Sequence, residues 1–450
     1  KERDIMPSRR DFLRLGLASL TLPQLYRLRS AAAASETKRK AIIVVFLHGG
    51  ASHLETWDPK PDAPLEYRGP FQTIATKTPG LRLCELLPRQ AALSHRYTIV
   101  RSLVHSGFCH GIGQQQMFTG HEVREFKPQS EHPEFLSITN RLRGAGPRQL
   151  PNYVGAPPIP YLGAAYLGPA ADAFAVHGDP NLPEFRLPNV GPPDEASLKR
   201  IDQRRGLRAQ LDRLARSLDD RGNMQAGDQF EQMAWNMLAS PAARRAFDLS
   251  QEDSAVRNRY GRNTWGQQCL LARRLVEAGV ELVTTTLAGP LCGRVQNWDD
   301  HAVNHHVFDA MQARAPYFDQ AITALIEDIY DRGLDRQVLV VVTGEFGRTP
   351  KISYAADSAS GVMQPGRDHW PRATSLLFAG GGLETGRVIG GTDRRGEDVV
   401  ERRISVYDFL ATVYRHLEIN PSGIALRDFA GRPVPILNQG KPIPELVASR

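Results

Sequence analysis

Ala41-Ile42-Ile43-Val44-Val45-Phe46-Leu47-His48-Gly49-Gly50 is the stretch on which the fold turns. Seven consecutive apolar residues, four of them β-branched, leave no polar face. That is the pattern of a strand covered on both sides in a parallel sheet. The run stops at a histidine and two glycines, so it opens onto a loop. Gln337-Val338-Leu339-Val340-Val341-Val342 repeats the pattern and stops at Thr343-Gly344-Glu345-Phe346-Gly347-Arg348. Between these two runs, an amphipathic segment over 265–278 closes at Gly279 and leads into a strand over 280–287. A second over 318–330 closes at Gly333 and leads into the run at 337. Helix followed by strand twice in succession predicts an α/β fold, with a mainly parallel central sheet and helices on both faces.

Farther out, 97–100 and 374–378 read as strands, and 111–118 and 406–417 as helices. The pattern over 195–279 is helical. Residues 144–193 are rich in proline and glycine and are expected to form ordered loops covering one sheet edge. The length, 450 residues, suits one large domain with insertions, and 23% charged against 41% apolar residues argues against a disordered chain.

At the N-terminus, Arg9-Arg10 precedes a moderately apolar stretch and Ala31-Ala32-Ala33-Ala34. A paired arginine ahead of such a segment reads as a twin-arginine export signal over 1–34, with the domain over 35–450 and a periplasmic or extracellular destination. Cleavage there removes seven basic and three acidic residues and takes the net charge from +7 to +3. The basic balance therefore gives no reason to expect nucleic acid as a partner. No stretch reaches the roughly 18 uninterrupted apolar residues of a membrane helix. Cys84, Cys109, Cys269 and Cys292 form no C-x-x-C pair, which disfavours a thiolate zinc site and leaves one or two disulfides open.

The chemistry-bearing residues sit where strands of a parallel sheet would end, the edge at which ligands bind in open α/β folds. His48 follows the first run. His-Gly-Gly also occurs in esterase oxyanion loops, but the chain has no G-x-S-x-G for the nucleophile. Asp299 and His301, two apart after Trp298, can share one cation on an extended segment, and His305 would join them if the segment were helical. Glu345 must be paired, hydrogen-bonded or metal-bound at the end of a buried strand. Its alternative partner is Arg348. In Gly366-Arg367-Asp368-His369-Trp370, Arg367 suits an anion and His369 a metal. His110 stands on a turn before a helix, placed for an anion or a nucleophile. Imidazoles with carboxylates suit zinc or manganese.

Taken together, Gly49-Gly50-x-Ser52-His53, Trp57-Asp58-Pro59-Lys60, Val100-Arg101-Ser102, the stretch 272–279, Gly344-Glu345-Phe346-Gly347-Arg348-Thr349-Pro350 and 366–370 resemble the exported bacterial family catalogued as domain of unknown function 1501, of the alkaline phosphatase and sulfatase superfamily. The resemblance covers nearly the whole chain after the leader. It implies an alkaline phosphatase-like fold and a divalent metal site. Asp299 and His301 resemble the superfamily's Asp and His pair, and His369 its late histidine. His48 stands for the first-strand aspartate, and His110 falls at the nucleophile. Phe346, where that pattern has a ligand, weakens a second cation site.

The expectation is thus an exported metal-dependent hydrolase of sulfate or phosphate esters. Its proposed metal ligands are Asp299, His301, His369 and Glu345, its catalytic groups His48 and His110, and its anion clamps Arg348 and Arg367. Ser106 is a weaker nucleophile. The alternative is a non-catalytic binding module for polysaccharide or an envelope partner.

Overall fold

An apolar run buried on both sides needs a partner strand on each edge and a helical layer on each face, and the chain supplies both. In the computed structural model, which describes residues 39–144, 150–185, 241–289, 291 and 297–447, the central sheet takes nine strands in chain order. They are β1 (Ala41–Phe46), β2 (Tyr97–Val104), β3 (Tyr153–Gly155), β4 (Phe174–Ala175), β5 (Leu282–Thr286), β6 (Val338–Thr343), β7 (Thr374–Gly380), β8 (Arg387–Ile389) and β9 (Ile404–Ser405). All lie within the unit formed by residues 40–450. The spatial order is β8-β2-β7-β6-β1-β5-β3-β4, with β9 also paired to β2.

β1 sits at the centre, parallel to β5 and β6, with Phe46 level with Thr286 on one side and Thr343 on the other. β7 runs antiparallel to β2 and β6, and every other pairing in this sheet is parallel. The one reversed strand matters for the site. Its first residues lie at the edge where the parallel strands end, so a segment just before β7 meets segments just after β1, β5 and β6.

Helices α1 (His110–Thr119), α2 (Thr264–Ala278), α3 (Val307–Asp331) and α4 (Val406–His416) cover the sheet. The period of two along β1 sends alternate side chains to opposite faces. Ile43 and Val45 join Trp265, Leu271, Phe318 and Ile322 of α2 and α3. Ile42, Val44 and Phe46 join Met117 and Phe118 of α1 with Phe409 and Val413 of α4. The predicted α/β class, with a mainly parallel sheet and helices on both faces, is what the chain forms.

Two regions differ from the expectation. α3 begins at Val307, three turns before the expected start, and runs through Pro316. Proline lacks an N–H and so reads as a breaker, but the buried face of Phe308, Met311, Ala315 and Phe318 holds the helix together across it. The stretch after Gly144 was expected to cover a sheet edge with loops. Instead β3 and β4 extend the sheet by pairing in parallel with β5 and with each other. Strands of two or three residues are too short to show alternation. Residues 195–240 of the expected helical pattern, and the leader expected over 1–34, lie outside the described residues. Cys84, Cys109 and Cys269 are free thiols, so they form none of the disulfides left open. Among the described residues no helix is long and apolar enough to cross a membrane.

Candidate metal centre

Five segments deliver the site. β1 ends at His48 and Gly49. Beyond β5 the chain reaches Trp298, which is buried, stacked 5.7 Å from Trp265 and edge-on to Phe318 at 4.9 Å. Trp298 N donates to His48 O at 2.8 Å, tying the two loops together just ahead of Asp299. Gly49 allows this approach. Its φ is +111°, and a Cβ there would lie 2.6 Å from the Trp298 carbonyl carbon. β6 leads to Glu345, and β2 leads to His105 and the start of α1 at His110. The fifth segment precedes the reversed strand. His369–Trp370 pairs with Gly347–Arg348 as a two-residue ribbon, with His369 opposite Arg348.

His110, Asp299, His301 and His369 converge as a group able to hold a metal ion, each offering one donor atom within 4.8 Å of the others. His301 Nε2 is 2.9 Å from His369 Nε2, which is 3.1 Å from His110 Nε2. Asp299 Oδ1 lies 3.2 Å from the Nε2 of His110, 3.2 Å from that of His301 and 3.7 Å from that of His369. Donors at 2.0–2.1 Å from a tetrahedral ion stand about 3.3 Å apart, and these separations straddle that value.

The far side of each ring decides its tautomer. His110 Nδ1 is 2.7 Å from Glu345 Oε1, His301 Nδ1 is 2.7 Å from Asp368 Oδ1, and His369 Nδ1 is 2.9 Å from Phe108 O. Carboxylates and carbonyls only accept, so each neutral ring carries its proton on Nδ1. With all three rings neutral, as metal ligation requires, three Nε2 lone pairs and one carboxylate oxygen face a single point. That donor set fits a divalent cation, and the acceptors behind the rings are the partners that orient metal-binding imidazoles.

Without an ion, protons on the Nε2 side hold the cluster together, and a cation would take their place. Burial pushes Asp299 up, but hydrogen bonds from His110 and His369 and the Arg348 guanidinium outweigh it and hold the carboxyl far below the usual range. Burial pulls His110 down, but its hydrogen bonds to Asp299 and Glu345 win and raise it to about 9. Glu345 is fully buried. Burial alone would push it up, yet His110 and His48 hold it low. His48 is lowered mainly by its own burial, against the pull of Glu345.

The expected site residues fall into three groups. Asp299, His301, His369 and His110 come together. Glu345, expected as a ligand, stands behind His110 and also accepts from Gly49 N at 3.0 Å. His48 lies beside the cluster, its ring 6.0 Å from that of His110. The two arginines expected to grip an anion are both 0% exposed. Arg348 bonds Gly50 O at 3.0 Å, Arg367 O at 3.1 Å, Asp299 Oδ1 at 2.7 Å and Gly49 O. Arg367 bonds Glu55, Tyr67 O, Thr349 O and Pro350 O. With those donors engaged and no exposed surface, neither guanidinium presents an edge to a ligand. His305 turns away to Asp300 at 2.9 Å, and Ser106 to Gln116 at 3.1 Å. Phe346 packs its ring 4.4 Å from His369 and 5.4 Å from His110.

Sequence reading assigned no role to Gln114, Asp368 or the Phe108 carbonyl. Gln114 had a usable signal, since it stands four residues after His110 on a helix and shares its face. A backbone carbonyl such as that of Phe108 leaves no mark in a sequence.

No curated protein matches the sequence. Several solved structures are similar over most of their length at low identity. A lipoteichoic acid synthase from Listeria monocytogenes is 9% identical with a TM-score of 0.36, over 86% of this chain and 73% of that one. A sulfatase from Pseudoalteromonas sp. is 9% identical with a TM-score of 0.33, over 87% and 70%. The phosphonate monoester hydrolase of Agrobacterium radiobacter is 13% identical with a TM-score of 0.35, over 91% and 77%. Likeness at this level assigns no chemistry. The sequence pattern of the family described as "Protein of unknown function (DUF1501)" matches residues 39–447, and the chain belongs to that family.

Proposed function

We propose that this protein is a metal-dependent hydrolase that holds one zinc ion through His110, Asp299, His301 and His369 and acts on a phosphate or sulfate ester. The observation that carries the reading is the convergence of three histidine Nε2 atoms whose Nδ1 atoms are all committed to acceptors. Zinc is favoured over manganese because three imidazoles and one carboxylate at tetrahedral spacing suit it, whereas manganese prefers more oxygen donors. When bound, such an ion supplies a polarising positive charge and lowers the pKa of a bound water.

The chain's own residues do the rest. Asp299 is held ionised by Arg348, and Glu345 and Asp368 keep His110 and His301 in the ligating tautomer. The ligand side chains are 18–26% exposed, so one side of the centre meets solvent. With both arginines buried, the anion would be drawn by the ion and by the N-terminus of α1, which begins at His110. Purified protein should turn over an aryl phosphate or aryl sulfate, lose that activity on chelation, regain it with zinc, and lack it as Asp299→Ala. Turnover that persists through chelation would refute the assignment.

One observation favours a second reading. Four protein donors fill a tetrahedral shell, as in closed structural sites, whereas catalytic zinc usually keeps one position for water. On that reading the ion pins the loops of a binding module. Full zinc occupancy with no turnover of any ester would select it. We also place the protein outside the cytoplasm through the Arg9-Arg10 leader. Arg9→Lys with Arg10→Lys should leave it unexported, and unchanged export would exclude the twin-arginine route.

A further inference from the structure

Gln114 of α1 is fully buried, and its amide nitrogen has two neighbours, Glu345 Oε1 at 3.4 Å and His48 Nδ1 at 3.2 Å. A carboxylate only accepts, so the amide must turn its nitrogen toward Glu345. Gln114 Oε1, though buried, has no hydrogen-bond partner. The orientation is therefore set from the nitrogen side, and turning the amide over would aim its oxygen at a carboxylate. With one amide proton given to Glu345 and the other to His48 Nδ1, a neutral His48 keeps its own proton on Nε2.

Glu345 thus acts in opposite senses on two histidines. Directly, it accepts a hydrogen bond from His110 Nδ1–H and leaves a neutral His110 with its Nε2 lone pair facing the cluster. Through Gln114, it leaves His48 with an Nε2–H. The His48 ring is partly exposed beside His110, and its Nε2 has no protein partner among the described residues. A side-chain donor for a bound anion, beside the backbone N–H groups at the start of α1, is what the centre otherwise lacks, since Arg348 and Arg367 are buried with their donors engaged.

We propose that His48, locked by Gln114 as the Nε2–H tautomer, is a neutral hydrogen-bond donor to an oxygen of the anion at the metal, and that Gln114 is its positioning residue. The donor role rests on the metal-dependent reading above. The tautomer does not.

The test uses the full chain with 15N-labelled histidine, loaded with zinc. A long-range proton–nitrogen spectrum identifies the protonated nitrogen of each ring, with His48 assigned by the signals lost in His48→Ala. His48 should be protonated on Nε2, and His110, His301 and His369 on Nδ1. In Gln114→Leu, His48 should shift to a mixture or to Nδ1–H while the other three stay. By calorimetry on the zinc-loaded protein, His48→Ala should bind inorganic phosphate roughly tenfold to a hundredfold more weakly. Gln114→Leu should lose part of that, with zinc content unchanged in both.

An Nδ1-protonated His48 in the wild-type protein would overturn the proposal, even if Gln114→Leu fails to fold. Equal phosphate affinity in His48→Ala, or no phosphate binding by the wild type, would overturn the donor role. Absence of zinc would instead defeat the metal reading, and the spectrum of the metal-free protein would still decide the lock.

Discussion

Glu345 shows how much one buried carboxylate can organise. It accepts from Gly49 N, His110 Nδ1 and Gln114 Nε2, so it fixes a loop and two imidazoles at once. Glu345→Gln keeps the shape but can present an N–H to His110, which favours the wrong tautomer of the ligand. Loss of such an outer partner typically costs 10- to 100-fold in metal affinity. We expect zinc affinity, measured by chelator competition, to fall by about that factor while the fold is kept. Unchanged affinity would remove Glu345 from the metal's support. The four clustered residues were each legible in the sequence, because a histidine or aspartate after a strand or before a helix stands out. Their roles were less so. Glu345 stands behind His110 and not within the cluster, because which groups face one point is set by side-chain direction. Arg348 and Arg367 read as anion clamps because a sequence does not reveal how many backbone carbonyls will surround a guanidinium.

The elements explain why these residues meet. The segment before β7 reaches the site only because that strand is reversed, and nothing in Thr374-Ser375-Leu376-Leu377-Phe378 distinguishes parallel from antiparallel. Contact between the segments at 301 and 369 depends on Gly366, where a Cβ would overlap the Ala302 backbone nitrogen and lie 2.7 Å from His301 C. Gly366→Ala replaces no proposed ligand, yet it should push the His301 backbone, and with it the ring, away from His369. We expect at least about tenfold weaker zinc binding, and equal binding would mean the loops tolerate separation. At the opposite end of the sheet, His416 of α4 donates from Nε2 to Ala41 O at 2.8 Å. Burial, opposed by that bond and aided by Lys40 and Arg143, lowers it from 6.5 to about 4. The folded state holds the ring neutral while the unfolded chain takes up a proton. Stability is therefore complete above pH 6.5 and falls as pH drops toward 4, by on the order of 3 kcal/mol. His416→Gln keeps a donor and cannot titrate, so urea unfolding of that variant should show a flatter pH dependence across this window. An unchanged slope would place the titration elsewhere.

For the molecule as a whole, the sheet class and its central strands were legible because burial on both faces leaves long apolar runs. The edge strands β3 and β4 were not, because two or three residues carry no period, and Pro316 hid the first turns of α3. The centre joins segments from three places in the chain, at 110, 299–301 and 369, so an ion there would cross-link the strand-end face. Binding to the folded state alone stabilises it by about 2.7 kcal/mol at a hundredfold excess over Kd. Chelation should therefore lower Tm by several degrees and zinc should restore it, whereas an unchanged Tm would mean the ion, if bound, ties nothing together. The most direct test of the central claim is the metal content of protein purified without added metal, beside His369→Ala. The account predicts about one zinc per chain in the wild type and none in the variant. A folded wild-type protein that carries no metal and takes up none from added zinc would contradict it.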